Sequence, residues 1–125
     1  MIRVRYPGRA CLLGDHCDWA GGASLTIPLP LWVEIEVEES ANGLGIRTEM
    51  DGELLLGDWP AAGGVHTDGG QLRFVPAAAA VLAGRGIGPK PAQLWGRSSL
   101  PTGRGFSSSA AFTLAVLDAL ARHHQ

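Results

Sequence analysis

The sequence predicts an α+β domain, in which strands fill the N-terminal half and two helices come later in the chain. Three observations indicate this. Apolar and polar residues alternate in several short segments, an Asp-Gly pair links two of those segments, and the two apolar segments with helical length lie beyond residue 70. Because strands and helices are grouped rather than alternating along the chain, the order favours α+β over an alternating β/α fold.

The predicted strands are short. In chain order they cover residues 2–6, 9–14, 23–27, 31–38, 44–50, 53–56 and 92–96. Pro7-Gly8 is expected to break the first of them, and Pro28 to end the third. In segment 31–38 four apolar residues alternate with glutamates, which predicts a half-buried strand whose glutamates face water. Asp51-Gly52 predicts a hairpin between segments 44–50 and 53–56.

Two helices are predicted. The first covers residues 71–83, with Pro76 in its first turns, and ends at Gly84. The second begins at a serine cluster near residue 107 and continues through Leu120. Residues 58–70 are rich in Gly, Ala and Pro and are expected to form a surface loop, in which His66 and Asp68 face solvent without a metal-ligand spacing.

Composition restricts the class of protein. The 125 residues fit one domain, and 46% hydrophobic with 18% charged residues is typical of a globular chain. A net charge of −2 with scattered arginines predicts neither nucleic-acid nor membrane binding. The N-terminus lacks a signal-peptide core, and Cys11 and Cys17 do not form a disulfide framework. A cytoplasmic location is therefore expected.

A glycine- and serine-rich segment near the C-terminus is the first candidate site. It reads Pro101, Thr102, Gly103, Arg104, Gly105, Phe106, Ser107, Ser108 and Ser109, followed by two alanines. The glycines let the backbone turn and let a ligand approach closely, and the serines fall where helix N–H groups lack partners. These N–H groups, the helix dipole and the hydroxyls together predict a phosphate cradle. The alternative is an ordinary serine-capped helix.

The phosphate hypothesis requires a family other than the Walker-loop proteins, because no lysine follows the second glycine of this segment. A serine hydrolase is a further alternative. The nucleophile elbow of that class requires a Gly-x-Ser-x-Gly pattern, and here Ser109 occupies the place of the last glycine.

A second candidate site lies in the N-terminal loop. Arg9, Asp15, His16, Asp18 and Trp19 place a guanidinium, two carboxylates, an imidazole and an indole within eleven positions. Carboxylates and histidine on a loop bind hydroxyl groups directionally, and an indole offers a face to a sugar ring. In the alternative interpretation the aspartates form turns, the histidine lies on the surface and the tryptophan enters the core. A metal site is disfavoured, because consecutive residues rarely converge on one ion.

The two segments together resemble the GHMP kinases, the superfamily of galactokinase, homoserine kinase, mevalonate kinase and phosphomevalonate kinase. Gly8 to Trp19 is similar to the galactokinase signature Gly-Arg-x-Asn-Leu-Ile-Gly-[Asp/Glu]-His-x-Asp-Tyr. Pro101 to Ala111 is similar to the second family motif, Pro-x-Gly-x-Gly-Leu-Ser-Ser-Ser-Ala-Ala. The resemblance implies a fold like domain 2 of ribosomal protein S5, a mixed sheet with helices on one side.

The resemblance also implies phosphoryl transfer from ATP, with Mg²⁺, to a hydroxyl of a sugar or a sugar-like polyol. By motif, residues 101–109 would bind the triphosphate, and Ser109 would contact the metal. Arg9 matches the arginine near the reacting hydroxyl, where a fixed cation can stabilise developing charge or lower a neighbouring pKa. The residues matching sugar-binding positions are Asp15, His16, Asp18 and, at the position of the family tyrosine, Trp19.

The sequence also departs from the family. Cys11 replaces the signature Asn, Trp19 replaces Tyr, and Phe106 replaces Leu, which puts galactose itself in question as the substrate. The resemblance spans residues 1–125 as one domain but only about the first third of a typical member, which would carry its catalytic aspartate and a third motif further on. The alternatives are a truncation, a split kinase completed by a C-terminal half on another chain, or a noncatalytic nucleotide- or sugar-binding remnant.

Overall fold

A five-stranded sheet carries two helices on one of its faces. The computed structural model describes residues 2–13, 21–41, 43–50, 52–59, 71–87, 90–99 and 108–124. In chain order the elements are β1 (Ile2–Leu13), β2 (Leu25–Glu39), β3 (Leu44–Met50), β4 (Glu53–Trp59), a 3-10 turn (Gln71–Arg73), α1 (Phe74–Gly84), β5 (Ala92–Ser98) and α2 (Ser108–His124).

The sheet is mixed. Its strand order is β1-β2-β5-β3-β4, with β3 and β5 parallel and the other neighbouring strands antiparallel. Helix α2 packs against β1 and β2, and α1 packs against α2. The predicted α+β class, with its mixed sheet and helices on one side, is confirmed.

Two predicted strand breaks are wrong. β1 continues through Pro7-Gly8, where the pairing register shifts between Pro7 and Arg9, and β2 continues through Pro28, which lies opposite Arg9. β2 pairs with β5 only over residues 33–39. The prolines of β2 lie before that range, where β1 is the one described strand that pairs with β2. Proline is tolerated at such positions, because no second ladder needs its missing N–H group.

The other elements follow the sequence closely. β3 and β4 form the predicted hairpin, and Gly52 in its turn has a φ of 75°. β4 extends to Trp59, which pairs with Leu44, so the predicted loop at 58–70 begins too early. Helix α1 ends in a Schellman motif. The Ile87 N–H donates to the Leu82 carbonyl at 2.9 Å, with Gly86 at a φ of 81°.

The core lies between the sheet and the helices. Alternate residues of β2 and β5 point into it, including Ile35 and Leu94, which are fully buried. Phe112 and Val116 of α2 meet them and are also fully buried. Burial of this apolar layer is what holds α2 against the sheet, and so fixes where its first turn lies.

The opposite side of the sheet, called the outer face below, carries charged rows that cross the strands. The glutamates of β2 were predicted to face water, and this is wrong for Glu34, which is only 7% exposed. Its carboxylate accepts hydrogen bonds from Arg5 Nε at 2.6 Å and Arg97 Nη2 at 3.3 Å. Because the hydrogen bond from Arg5 favours the carboxylate, the pKa of Glu34 lies below its ordinary value.

Candidate functional site

A cleft of about 580 Å³ lies between β1 and the first turns of α2. Its lining combines one cation with small and apolar side chains: Pro7, Arg9, Phe74, Ala110, Ala111, Thr113 and Leu114. Arg9 comes from the N-terminal candidate site, whereas the alanines come from the end of the glycine- and serine-rich segment. The cleft thus brings together residues that are about one hundred positions apart in the sequence.

Local features of β1 and α2 position the two walls of the cleft. Arg9 follows the register shift in β1 and lies exposed at the rim. Helix α2 begins at Ser108, and Ala110 and Ala111 in its first turn leave the cleft open, since neither carries a bulky side chain. The predicted position of the serines at the start of a helix is confirmed for the backbone of Ser108 and Ser109.

Several predicted site residues lie outside the described residues. They are Asp15, His16, Asp18 and Trp19 of the N-terminal loop, and Pro101, Thr102, Gly103, Arg104, Gly105, Phe106 and Ser107 of the C-terminal segment. The side chains of Ser108 and Ser109 also lie outside them. Of the predicted site side chains, Arg9 is the one that the described part of the chain includes.

The electrostatics of the cleft favour an anion. The first N–H groups of an α-helix have no intrahelical partner and lie at the positive end of its dipole. Helix α2 has no acidic residue in its first turn, and the Arg9 guanidinium adds a full positive charge across the cleft. Phe74 and Leu114 contribute apolar surface beside these charges. A ligand with an anionic group and an apolar ring suits this combination.

A polar link holds β1 to α2. The Tyr6 hydroxyl donates to Asp118 Oδ2 at 2.8 Å, and Arg122 Nε donates to Asp118 Oδ1, also at 2.8 Å. Burial, and then the hydrogen bond to Asp118, raises the pKa of Tyr6, so its hydroxyl keeps its proton at neutral pH. Tyr6 lies three positions before Arg9, and the link therefore restrains the strand that carries the cation.

Sequence reasoning missed Phe74, Thr113 and Leu114 as residues of the cleft. The Arg73 guanidinium lies 4.5 Å from the centre of the Phe74 ring, a cation–π contact at the start of α1. No motif marks these residues: the packing of α2 against β1 brings Thr113 and Leu114 to the cleft, and the packing of α1 against α2 brings Phe74. The Asp118–Arg122 ion pair is predictable from the sequence, because residues four apart on a helix are neighbours.

The described residues contain neither a metal-binding cluster nor a helix that could span a membrane. In this part of the chain, no group of three or more His, Cys, Asp or Glu side chains is placed to hold a metal ion. Neither described helix has the length and apolar character required to cross a bilayer.

Comparison with known proteins agrees with the fold. Residues 73–125 match the family model of the GHMP kinases N terminal domain. The galactokinase of Thermosipho africanus is 26% identical over 122 residues, which are 98% of this chain and 33% of that protein. The galactokinase of Thermotoga neapolitana is 27% identical over 128 residues, with the same coverage. The chain therefore spans about a third of the length of these relatives.

Solved structures show the same fold. The mevalonate kinase of Methanococcus jannaschii superposes with a TM-score of 0.82 at 18% identity, over 99% of this chain and 40% of that one. The galactokinase of Lactococcus lactis, solved with galactose, superposes with a TM-score of 0.73 at 24% identity, over 96% of this chain and 32% of that one. The chain thus shares the fold of the GHMP kinases, its C-terminal part matches their family model, and it is similar over nearly all its length to the N-terminal third of galactokinases.

Proposed function

We propose that this chain is the ATP-binding N-terminal portion of a sugar kinase, which transfers the terminal phosphate of ATP to a hydroxyl group of a sugar or a related polyol. The observation that carries the proposal is the cleft in which Arg9 lies across from the start of α2. Phosphoryl transfer consists largely of positioning and charge neutralisation, and this cleft offers a cation and a helix N-terminus to one ligand.

The proposed roles follow the two motifs. The N–H groups at the start of α2, together with residues 101–109, would bind the phosphates of ATP. Ala110 and Ala111 line the cleft with small side chains, which supports an anion site at this point. The Ser109 hydroxyl would contact Mg²⁺, because its oxygen is a ligand of the type that this ion prefers. When bound, the metal neutralises phosphate charge.

The acceptor would be held on the other side of the cleft. Asp15, His16, Asp18 and Trp19 would bind the sugar through hydroxyl-directed hydrogen bonds and an apolar face. The galactokinase relatives support a sugar as the substrate class. Arg9 would lie near the reacting hydroxyl and stabilise the negative charge that develops there.

Two alternatives are one half of a split kinase and a noncatalytic remnant. Because this chain spans about a third of its galactokinase relatives, the catalytic activity would require a C-terminal half, supplied on the same or on another chain. The noncatalytic alternative is a remnant that binds nucleotide or sugar without turnover. ATP binding without phosphate transfer to any sugar, even with a C-terminal kinase half present, would favour this remnant.

The first test is Mg-ATP binding measured by titration calorimetry on the protein and on a Ser108→Ala/Ser109→Ala variant. Loss of hydroxyls that bind a charged phosphate removes about 1.5–3 kcal/mol, or roughly a 10- to 100-fold loss in affinity. Ser40→Ala, which removes a hydroxyl in the turn after β2, is the matched control and should leave the affinity unchanged. Equal affinities for all three proteins would contradict the phosphate assignment.

The second test separates the two halves of the site. Asp18→Asn should weaken sugar binding at least about tenfold and leave Mg-ATP binding unchanged, because the loss of one charge-assisted hydrogen bond costs about 1.5–3 kcal/mol. Calorimetric titration with galactose and with other hexoses measures the first effect. Weakened ATP binding with intact sugar binding would mean that the two subsites are assigned the wrong way round.

A further inference from the structure

The two edges of the sheet differ in how they are protected. β1 forms one edge and carries Pro7 together with the exposed arginines Arg3, Arg5 and Arg9. Charged side chains and proline are the usual devices that keep an edge strand from pairing with another chain. β4 forms the other edge, reads Glu-Leu-Leu-Leu-Gly-Asp-Trp, and has no basic residue and no proline.

The leucines of β4 are poorly covered. Leu54 is 59% exposed and Leu56 is 61% exposed, and both point to the outer face. Leu55 points to the helix side and is half-buried. Among the described elements β4 packs extensively only against β3, so the backbone on its other side meets no described strand.

We propose that β4 pairs antiparallel with β4 of a second copy of this chain, across a two-fold axis, and joins the two sheets into one. Unpaired N–H and C=O groups along β4 would supply the hydrogen bonds of this contact. A two-fold contact needs a self-complementary strand, in which each residue meets an acceptable partner from the same sequence.

β4 meets this requirement in one register. With Leu55 opposite Leu55 of the second copy, Leu54 lies opposite Leu56 of that copy, and the reverse pair forms on the other side of the axis. The acidic residues then face glycines, since Glu53 lies opposite Gly57 and Asp58 lies opposite Gly52. The three leucines meet leucines, Trp59 lies opposite Asp51, and no two carboxylates face each other.

Neighbouring registers are less favourable. A two-fold axis at Leu56 would place Leu54 opposite Asp58 and Glu53 opposite Trp59. An axis at Leu54 would place Leu56 opposite Gly52 and Glu53 opposite Leu55. A shift of the pairing register by one residue would place outer-face residues of one copy beside helix-side residues of the other, so that a charged face would adjoin an apolar one.

Sedimentation equilibrium over a range of protein concentrations tests the proposal. The apparent mass should rise with concentration from the monomer mass of 13.1 kDa towards twice that value. Leu54→Lys/Leu56→Lys should remain monomeric at the same concentrations, because both side chains are exposed and the change places cations at an apolar edge. Circular dichroism confirms that the variant is folded. Val81→Lys, at an equally exposed apolar residue of α1, is the matched control and should dimerise like the unmodified protein.

A cross-linking experiment tests the register. In a Cys11→Ser/Cys17→Ser background, Leu54→Cys/Leu56→Cys should give a disulfide-linked dimer under mild oxidation, because these positions face each other across the two-fold axis. Each single cysteine variant should give little dimer, since its Cα atoms would be about 8 Å apart, beyond the roughly 7 Å reach of a disulfide. A protein that stays monomeric, a dimer that survives the lysine substitutions, or single cysteines that cross-link as well as the pair would each overturn the proposal.

Discussion

The two faces of the sheet are built from the same strands but are held by different forces. On the helix side, Ile35, Leu94 and Phe112 are fully buried, and packing leaves little room for change. On the outer face, arginine and glutamate alternate across β1, β2, β5 and β3 in the row Arg5, Glu34, Arg97 and Glu49, and the side chains of Arg5 and Arg97 are more than half exposed. Alternate residues of one strand therefore experience either a close-packed core or a partly screened charge network.

This difference explains where the candidate site lies. The cleft opens at the border of the close-packed side, where α2 begins and β1 passes its register shift. A rigid core can hold a helix N-terminus and a cation at a fixed separation, which a ligand with several phosphates requires. The outer face has no packed core to hold a site in this way, because its side chains are mainly long and charged.

The largest effect should appear at Phe112, on the close-packed side of the sheet. Phe112→Ala removes a fully buried ring from α2 and should lower the free energy of unfolding by about 3–5 kcal/mol. Leu114→Ala on the same helix removes a side chain that is 50% exposed and should cost less than about 1 kcal/mol. Urea denaturation measures both. Equal losses would show that α2 is not anchored through its buried side.

The glycines offer a closer comparison. A Cβ atom on Gly96 would lie 2.5 Å from Thr48 Oγ1 and 3.0 Å from Ile35 Cδ1, both inside the core, so Gly96→Ala should cost about 1–3 kcal/mol. A Cβ atom on Gly45 would also lie 2.5 Å from its neighbour, but that neighbour is the flexible Gln93 amide on the outer face. Gly45→Ala should therefore change stability by less than about 0.5 kcal/mol. A large loss at both glycines in thermal unfolding would contradict this.

The third comparison concerns the ion pairs of the outer face, where the effect should be smaller than the loss at Phe112. Glu34→Gln removes the carboxylate that accepts hydrogen bonds from Arg5 and Arg97, and should cost about 1 kcal/mol at pH 7, since the arginines are mostly exposed. The hydrogen bond from Arg5 lowers the pKa of Glu34 below its ordinary value of 4.5. Its stabilisation is therefore present above that value and is lost as pH falls through the lowered pKa.

Urea denaturation between pH 7 and pH 3 measures this effect. The difference between the unmodified protein and Glu34→Gln should shrink as the pH falls, because the carboxylate then becomes neutral in the folded protein as well. Glu36→Gln, nearby on the same strand and paired with Arg3, should show a smaller difference at pH 7, since it has one arginine partner. A difference for Glu34 that is constant with pH would contradict the assigned network.

By itself the sequence determined the order of strands and helices that indicates the fold class, the hairpin at Asp51-Gly52 and both helices, because each follows from a pattern among neighbours in the chain. Periodicity and turn chemistry act over a few residues, and they are therefore readable from local patterns. The two motifs likewise predicted the resemblance to the GHMP kinases, with which the family-model match and the galactokinase relatives agree.

Only the tertiary structure decided the rest. Pro7 stays within β1 because that strand is an edge, the prolines of β2 stay within their strand because β5 does not reach them, and Glu34 is buried because the two strands beside it bring arginines to it. The cleft likewise joins Arg9 to the start of α2 through packing over about one hundred residues of sequence. Local patterns determine on which face of its own strand a side chain lies, whereas burial and ion pairing depend on which strands become neighbours.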